Sequence, residues 1–205
     1  MVGKFPTSVI ELSQTALRKN ITFLRTYLPE GCEFCSVIKG NAYGHGIATY
    51  LPMVEKCGVK TFAVFNADEA WVAWNSARKS SHIIIMGDLE GVALEWAIEN
   101  GLAMFVFNLE RLKDAARIAH RMGKRARVHL ELETGLNRTG LRKEELLLCK
   151  RFLDDHPDDI RIEGVCTHYA GAESIANYLR VQNQMVLFGE LCGYLDEMGV
   201  SYGSK

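Results

Sequence analysis

The run Thr61-Phe62-Ala63-Val64-Phe65, then Asn66-Ala67-Asp68-Glu69-Ala70-Trp71-Val72-Ala73-Trp74-Asn75-Ser76-Ala77, then His82-Ile83-Ile84-Ile85-Met86, carries the reading of the fold. The first and last pieces are unbroken apolar runs of strand length, rich in Val, Ile and Phe. Between them, Glu69–Ala77 sets Ala, Val and Trp at three- and four-residue intervals, the spacing of one helix face. Strand, helix and strand in so short a span make a crossover unit. Strands that are apolar throughout are buried on both faces, as in a parallel sheet covered by helices.

The alternation continues in both directions. Further strand-length runs are Phe34–Ile38, Met104–Phe107, Ala126–Leu132 and Ile162–Thr167, and further helical stretches are Val92–Glu99 and Leu109–Met122. Gly58, Gly101, Gly123 and Gly199 stand where helices end. Successive strands lie mostly about 20–35 residues apart, the length of a βα unit. An open doubly wound sheet would usually show G-x-G-x-x-G after its first strand, and that turn is absent. About six βα units in a row favour a (β/α)8 barrel, which takes ~250 residues when complete. The expectation is an α/β, TIM-type (β/α)8 barrel that is incomplete, with about six of its eight units. Ser8–Leu12 reads as one more short strand. Ala16–Tyr27 reads as a helix, opened by Ser13 or Gln14, with Leu17, Ile21, Leu24 and Leu28 at helical intervals. That first strand belongs elsewhere than in the barrel. The expected organisation is therefore an N-terminal strand segment over 1–12 and a truncated barrel over 13–205.

Composition narrows the function classes. Hydrophobic residues are 48%, charged residues 24% and the net charge is −1, which points to no nucleic-acid or anionic-membrane partner. No apolar run approaches the ~20 residues of a membrane span. No apolar segment follows Lys4, so no secretory signal is read, and the cytoplasm is the expected compartment. The cysteines, Cys32, Cys35, Cys57, Cys149, Cys166 and Cys192, are too sparse for a disulfide framework. Cys32 and Cys35 form a C-x-x-C, but no second ligand pair follows for zinc, and the motif leads into a strand where a redox pair should open a helix. No metal site is expected.

Three segments combine a strand end with chemistry-bearing side chains. In Ser36-Val37-Ile38-Lys39-Gly40-Asn41-Ala42-Tyr43-Gly44-His45-Gly46, a lysine ends an apolar strand before a glycine-rich turn. Desolvation there lowers a lysine's pKa and frees the amine for covalent chemistry. Glycines let backbone amides approach a phosphate, and the Tyr43 hydroxyl can donate to one. In Val128-His129-Leu130-Glu131-Leu132-Glu133-Thr134-Gly135-Leu136-Asn137-Arg138-Thr139-Gly140, a strand with residues alternating outward and inward leads into a turn with one arginine, suited to a carboxylate or ring oxygen. In Ile162–Glu173, an apolar strand ends in Thr167-His168-Tyr169. Taken singly, each of these residues also reads as an ordinary strand-end or loop residue.

Taken together, the strings resemble the alanine racemase family. Lys39–Gly46 is similar to its K-A-N-A-Y-G-H-G signature, with Gly40 for Ala. Residues 128–140 resemble V-H-L-K-x-D-T-G-M-x-R-x-G, and 164–173 resemble G-x-x-T-H-F-A-x-A-D/E. Gln182 and Phe188 fit a downstream Q-x-x-x-x-x-F, and residues 10–20 fit the family's opening segment. The resemblance implies pyridoxal 5'-phosphate carried covalently on Lys39, which also serves as base on one face of the substrate. It implies phosphate contact from Tyr43, a ring contact from His168, and cofactor and substrate contacts from Arg138. Leu136 stands where the family often has a substrate-side Met. Glu131 replaces a lysine that is often carbamylated, and is expected to orient Arg138 directly. Glu133 replaces Asp, and Tyr169 replaces Phe.

The implied activity is interconversion of L- and D-alanine, supplying D-alanine for peptidoglycan, by a homodimer acting on a small amino acid. The family's further segments are not found here. They are a phosphate-holding H-x-A-N-S stretch, two barrel strands, and a C-terminal β domain that supplies the opposite-face tyrosine and normally pairs with the strand matched by Ser8–Leu12, which here would have no sheet. The chain is thus expected to be an N-terminal fragment, nearly inactive alone. Other readings are a non-catalytic single-domain pyridoxal-phosphate-binding barrel, a broad-specificity amino-acid racemase and, more weakly, a fold-related decarboxylase.

Overall fold

The computed structural model describes residues 8–204, in two compact units that meet at the 86/87 boundary. In the first unit, helix α1 (Gln14–Arg25) starts at Ser13, whose hydroxyl accepts from the Ala16 amide. Ser13 thus satisfies one of the unpaired donors of a helix start. Arg25 ties the other end of α1 down by donating to Cys57 O (3.1 Å) and Gly58 O (2.9 Å). Strand β1 (Cys35–Val37) pairs in parallel with β2 (Thr61–Val64), and β2 with β3 (His82–Ile85). Helices α2 (Ile47–Glu55) and α3 (Ala67–Ser76) are the crossovers. Ile38, Leu51, Val54, Phe62, Val64, Ala70, Ala73 and Ile85 are fully buried and form the core.

Ser8–Leu12, expected as a strand left without a sheet in this chain, forms no strand; Val9 and Ile10 are 70% and 72% exposed. A strand exists only through pairing, and no described segment pairs with these residues. The remainder of that predicted segment, 1–7, lies outside the described residues. Strand β1 is also not buried on both faces, since Ser36 is buried while Cys35 and Val37 are exposed.

The second unit continues the alternation: α4 (Gly91–Glu99), β4 (Ala103–Val106), α5 (Leu109–Met122), β5 (Ala126–Glu131), α6 (Lys143–Asp155), β6 (Ile160–Cys166) and α7 (Tyr178–Glu197). Strands β4, β5 and β6 are parallel neighbours, with a register shift between Val128 and His129. Ser204 pairs in parallel with Gly164, and its carbonyl accepts from the Val165 amide (2.9 Å), so β6 has a neighbour on its far side. Helix α5 buries Leu112, Ala115, Ala116, Ile118 and Ala119, a three-and-four spacing that packs one face on the sheet. No helix among the described residues is long and apolar enough to cross a membrane.

Strand β5 alternates, as the outward and inward residues of its sequence predict. Ala126, Val128 and Leu130 are fully buried, while Arg127 and His129 are half-buried on the opposite face. On that face Arg127 Nε lies 2.9 Å from Glu163 and Arg161 Nε lies 3.0 Å from it. Hydrogen bonding from Arg127 holds the Glu163 carboxyl below the usual carboxylate range, while burial lowers the basicity of His129. Glu131 ends this polar row at the strand's carboxyl end.

The loop after β5 is closed on itself. Leu141 N donates to Glu131 O (2.7 Å) and Glu133 N donates to Leu141 O (3.0 Å). Gly140 sits in that closure at φ +123°, where a Cβ would lie 2.6 Å from Glu133 N and 2.8 Å from Leu132 C. Gly140→Ala is expected to destabilise the second unit by about 2 kcal/mol or more, from strained backbone plus a contact that only backbone movement relieves. Urea denaturation measures this.

Candidate active site

Lys39 follows β1 directly and lies at the carboxyl end of that strand. The turn it opens is left-handed: Gly40, Asn41, Ala42 and Tyr43 have φ/ψ of 62/39, 52/49, 55/46 and 53° in φ. Left-handed backbone costs a non-glycine residue roughly 1–2 kcal/mol, less for Asn, so surrounding contacts must hold the turn. Gly44 N donates to Gly40 O, Gly46 N to Asn41 O (2.9 Å), and Ile47 N to Asn41 Oδ1 (3.0 Å). At the opening of the turn, Gly40 N and Asn41 N donate to Glu69 Oε1 at 2.5 and 3.2 Å, and Phe65 N donates to Glu69 Oε2 at 2.9 Å.

This corrects one expectation. The amides of the glycine-rich turn were to face a phosphate. Those of Gly40 and Asn41 are taken by the Glu69 carboxylate, and those of Gly44, His45 and Gly46 are used inside the turn. The side chains remain available. Lys39 is half-buried, Tyr43 is 65% exposed, and neither has a polar partner among the described residues.

In the second unit the other named residues gather at the carboxyl ends of β5 and β6. Glu131 is buried (4% exposed) and accepts from Thr139 Oγ1 at 3.1 Å. Burial pushes its carboxyl up, opposed by the Thr139 hydroxyl and by the positive fields of Arg138 and His168. Glu131 thus meets Thr139 and not, as expected, Arg138. The exposed guanidinium of Arg138 forms no hydrogen bond or ion pair among the described residues. His168 is likewise exposed and unpaired there, and Leu136 is half-buried on the same loop as Arg138.

Residues to which the sequence assigned no site role set this geometry. Glu133 accepts from Gly135 N (2.5 Å) and Asn137 N (2.8 Å), which fixes the turn just before Arg138. Thr167 Oγ1 donates to Leu132 O (2.9 Å), so the Thr134 hydroxyl, 2.8 Å away, donates to Thr167 and joins the two loops. The buried amide of Gln184 accepts from Ala170 N (2.8 Å) and donates to Ala170 O (3.0 Å), pinning the segment that carries His168 onto α7. The motif match fell on Gln182, whose amide among the described residues donates to Met185 Sδ alone. Arg111, buried at the start of α5, donates to Phe105 O (2.5 Å) and Gly87 O (2.6 Å) and pairs with Asp88. Burial lowers its pKa to about 10. Glu69 carries one legible signal, its position three residues after the capping Asn66.

Each unit therefore presents donors of the kind pyridoxal phosphate requires. One has a primary amine without a partner at a strand's carboxyl end; the other has an unpaired guanidinium and an imidazole beside a buried carboxylate.

The comparisons with known proteins bear on the whole chain. An alanine racemase of Halalkalibacterium halodurans is 32% identical over 191 residues, covering 92% of this chain and 48% of that protein. One from Ligilactobacillus salivarius is 29% identical over 197 residues, covering 95% and 52%. The solved alanine racemase of Clostridium difficile 630, in complex with cycloserine, superposes with a TM-score of 0.82 at 28% identity, covering 92% of this chain and 51% of that one. That likeness makes the βα units described above part of a TIM-type barrel. The chain spans about half the length of the curated relatives it matches. The profile of the family "Alanine racemase, N-terminal domain" matches residues 12–203, and the chain belongs to that family.

Proposed function

We propose that this chain is the cofactor-carrying part of a pyridoxal 5'-phosphate-dependent racemase that interconverts L- and D-alanine. The observation that carries the proposal is Lys39: a half-buried amine without a partner among the described residues, at the carboxyl end of a parallel strand and on a strained turn held from outside. Strain of this kind gathers at functional sites, and barrel active sites form at strand carboxyl ends.

When bound, the cofactor withdraws electrons from the substrate's α carbon, so that its proton can be exchanged. Lys39 would hold the cofactor covalently, and its amine, once released, would move the proton on one face of the α carbon. Racemisation needs a proton group on each face, and Lys39 serves one of them. The Tyr43 hydroxyl would donate to the phosphate, and His168 would contact the ring. Arg138 would hold a ring oxygen or the substrate carboxylate, with Leu136 bordering the substrate. Glu131 supports Arg138 through its field and through Thr139, the next residue, with a carboxylate that needs no carbon dioxide to form. The family's role implies D-alanine for peptidoglycan, a homodimer and a cytoplasmic setting; the last agrees with free thiols at all six cysteines.

The direct test adds pyridoxal phosphate, reduces with borohydride and maps the adduct by peptide mass spectrometry. One adduct on Lys39, lost in Lys39→Ala, is the expected result. Adducts scattered over surface lysines, or a Lys39→Ala enzyme that racemises normally, would overturn the assignment.

A second expectation concerns Glu131 in the enzyme containing this chain. Glu131→Gln should lower kcat/KM for alanine about tenfold at neutral pH, the loss of one charge-assisted interaction. Burial raises this carboxyl's pKa, so the native side chain loses its charge as pH falls through that raised value. The gap between variant and native enzyme should therefore narrow on the acid side; equal pH profiles would remove Glu131 from the site.

A further inference from the structure

We propose that Glu69 is the positioning residue for Lys39: by closing the amide end of the left-handed turn, its carboxylate sets the direction in which the lysine leaves β1. The inference rests on the reading of Lys39 as the cofactor-bearing lysine.

Three observations carry it. First, one carboxylate gathers three backbone amides from two loops, Gly40 (2.5 Å) and Asn41 (3.2 Å) after β1 and Phe65 (2.9 Å) after β2. An ionised carboxylate only accepts, so it suits three donors; an amide side chain would set a donor against a donor. Second, Lys39 lies between two anchored peptides. The carbonyl of the peptide that precedes Lys39, on Ile38, accepts from Ala42 N (2.8 Å), and the amide of the peptide that follows it, on Gly40, donates to Glu69. Fixing both peptide planes fixes the Cα–Cβ direction of the residue between them. Third, Glu69 is itself fixed. It lies in the first turn of α3, its own amide donates to Asn66 Oδ1 (2.9 Å), and a negative charge there is favoured by the helix dipole. The turn thus has a built-in anion on its amides, and a phosphate must be met by side chains such as Tyr43.

The test compares Glu69→Gln with the unsubstituted chain. The readouts are the rate at which borohydride fixes pyridoxal phosphate on Lys39, relative to other lysines, and amide hydrogen exchange. Glu69→Gln should slow labelling of Lys39 about tenfold, as for one lost charge-assisted hydrogen bond, and speed exchange at Gly40, Asn41 and Phe65. Glu55→Gln is the control. Glu55 is a buried carboxylate of the same unit that accepts from Arg78 N (2.8 Å) and Ser81 Oγ (2.6 Å) and makes no contact with the turn. It should lower stability and leave Lys39 labelling unchanged.

Native-rate labelling of Lys39 in Glu69→Gln overturns the proposal. So does unprotected exchange at Gly40 and Asn41 in the unsubstituted chain, a measurement that needs no folded variant. If the unsubstituted chain takes no label on Lys39, the cofactor reading fails, while amide protection still decides whether Glu69 holds the turn.

Discussion

A backbone amide that leaves a sheet must find another acceptor, and at the carboxyl ends of these strands side-chain carboxylates supply it. Glu69 takes three amides around the turn after β1, and Glu133 takes two in the turn after β5. Both turns carry a residue named for chemistry, Lys39 in one and Arg138 in the other. In each, a carboxylate holds the backbone and leaves the functional side chain free. A fixed backbone with an unpartnered amine or guanidinium loses little order when a ligand arrives, which is the physical content of preorganisation.

The loops are tied to rigid elements as well. Gln184 on α7 clamps Ala170 with both ends of its amide, and Thr134 and Thr167 join the loops after β5 and β6. Arg111 fastens the first turn of α5 to the end of β4 and to Gly87 and Asp88. A buried guanidinium is costly unless its donors are satisfied; here two backbone carbonyls and a carboxylate do so.

Glu131 illustrates how burial and charge share one residue. Desolvation works against its ionised form, and the Thr139 hydroxyl and the fields of Arg138 and His168 work for it. The side chain accepts from Thr139, the neighbour of Arg138 in the chain. An anion beside a free guanidinium biases where the guanidinium sits without occupying its donors, which stay open to a ligand oxygen.

The alternation of strand and helix was legible in the sequence because buried strands write short apolar runs, and helix packing writes a three-and-four spacing. All six strands and the helix Leu109–Met122 lie where those patterns place them. Lys39, Arg138 and His168 could be singled out because strings around strand ends resemble a family's signatures. A local pattern could not show whether Ser8–Leu12 becomes a strand, since pairing belongs to two segments and a pattern to one. Nor could it show that Glu69, 29 residues from Gly40, reaches back to that turn, or that Gln184 and not Gln182 clamps the loop after β6. The sequence by itself determined the order of the elements and the chemical groups at their ends, because both are written in local spacing and residue type. Only the tertiary structure decided which carboxylate meets which amide and which cation stays free, because hydrogen bonds join residues that the fold, and not the chain, makes neighbours.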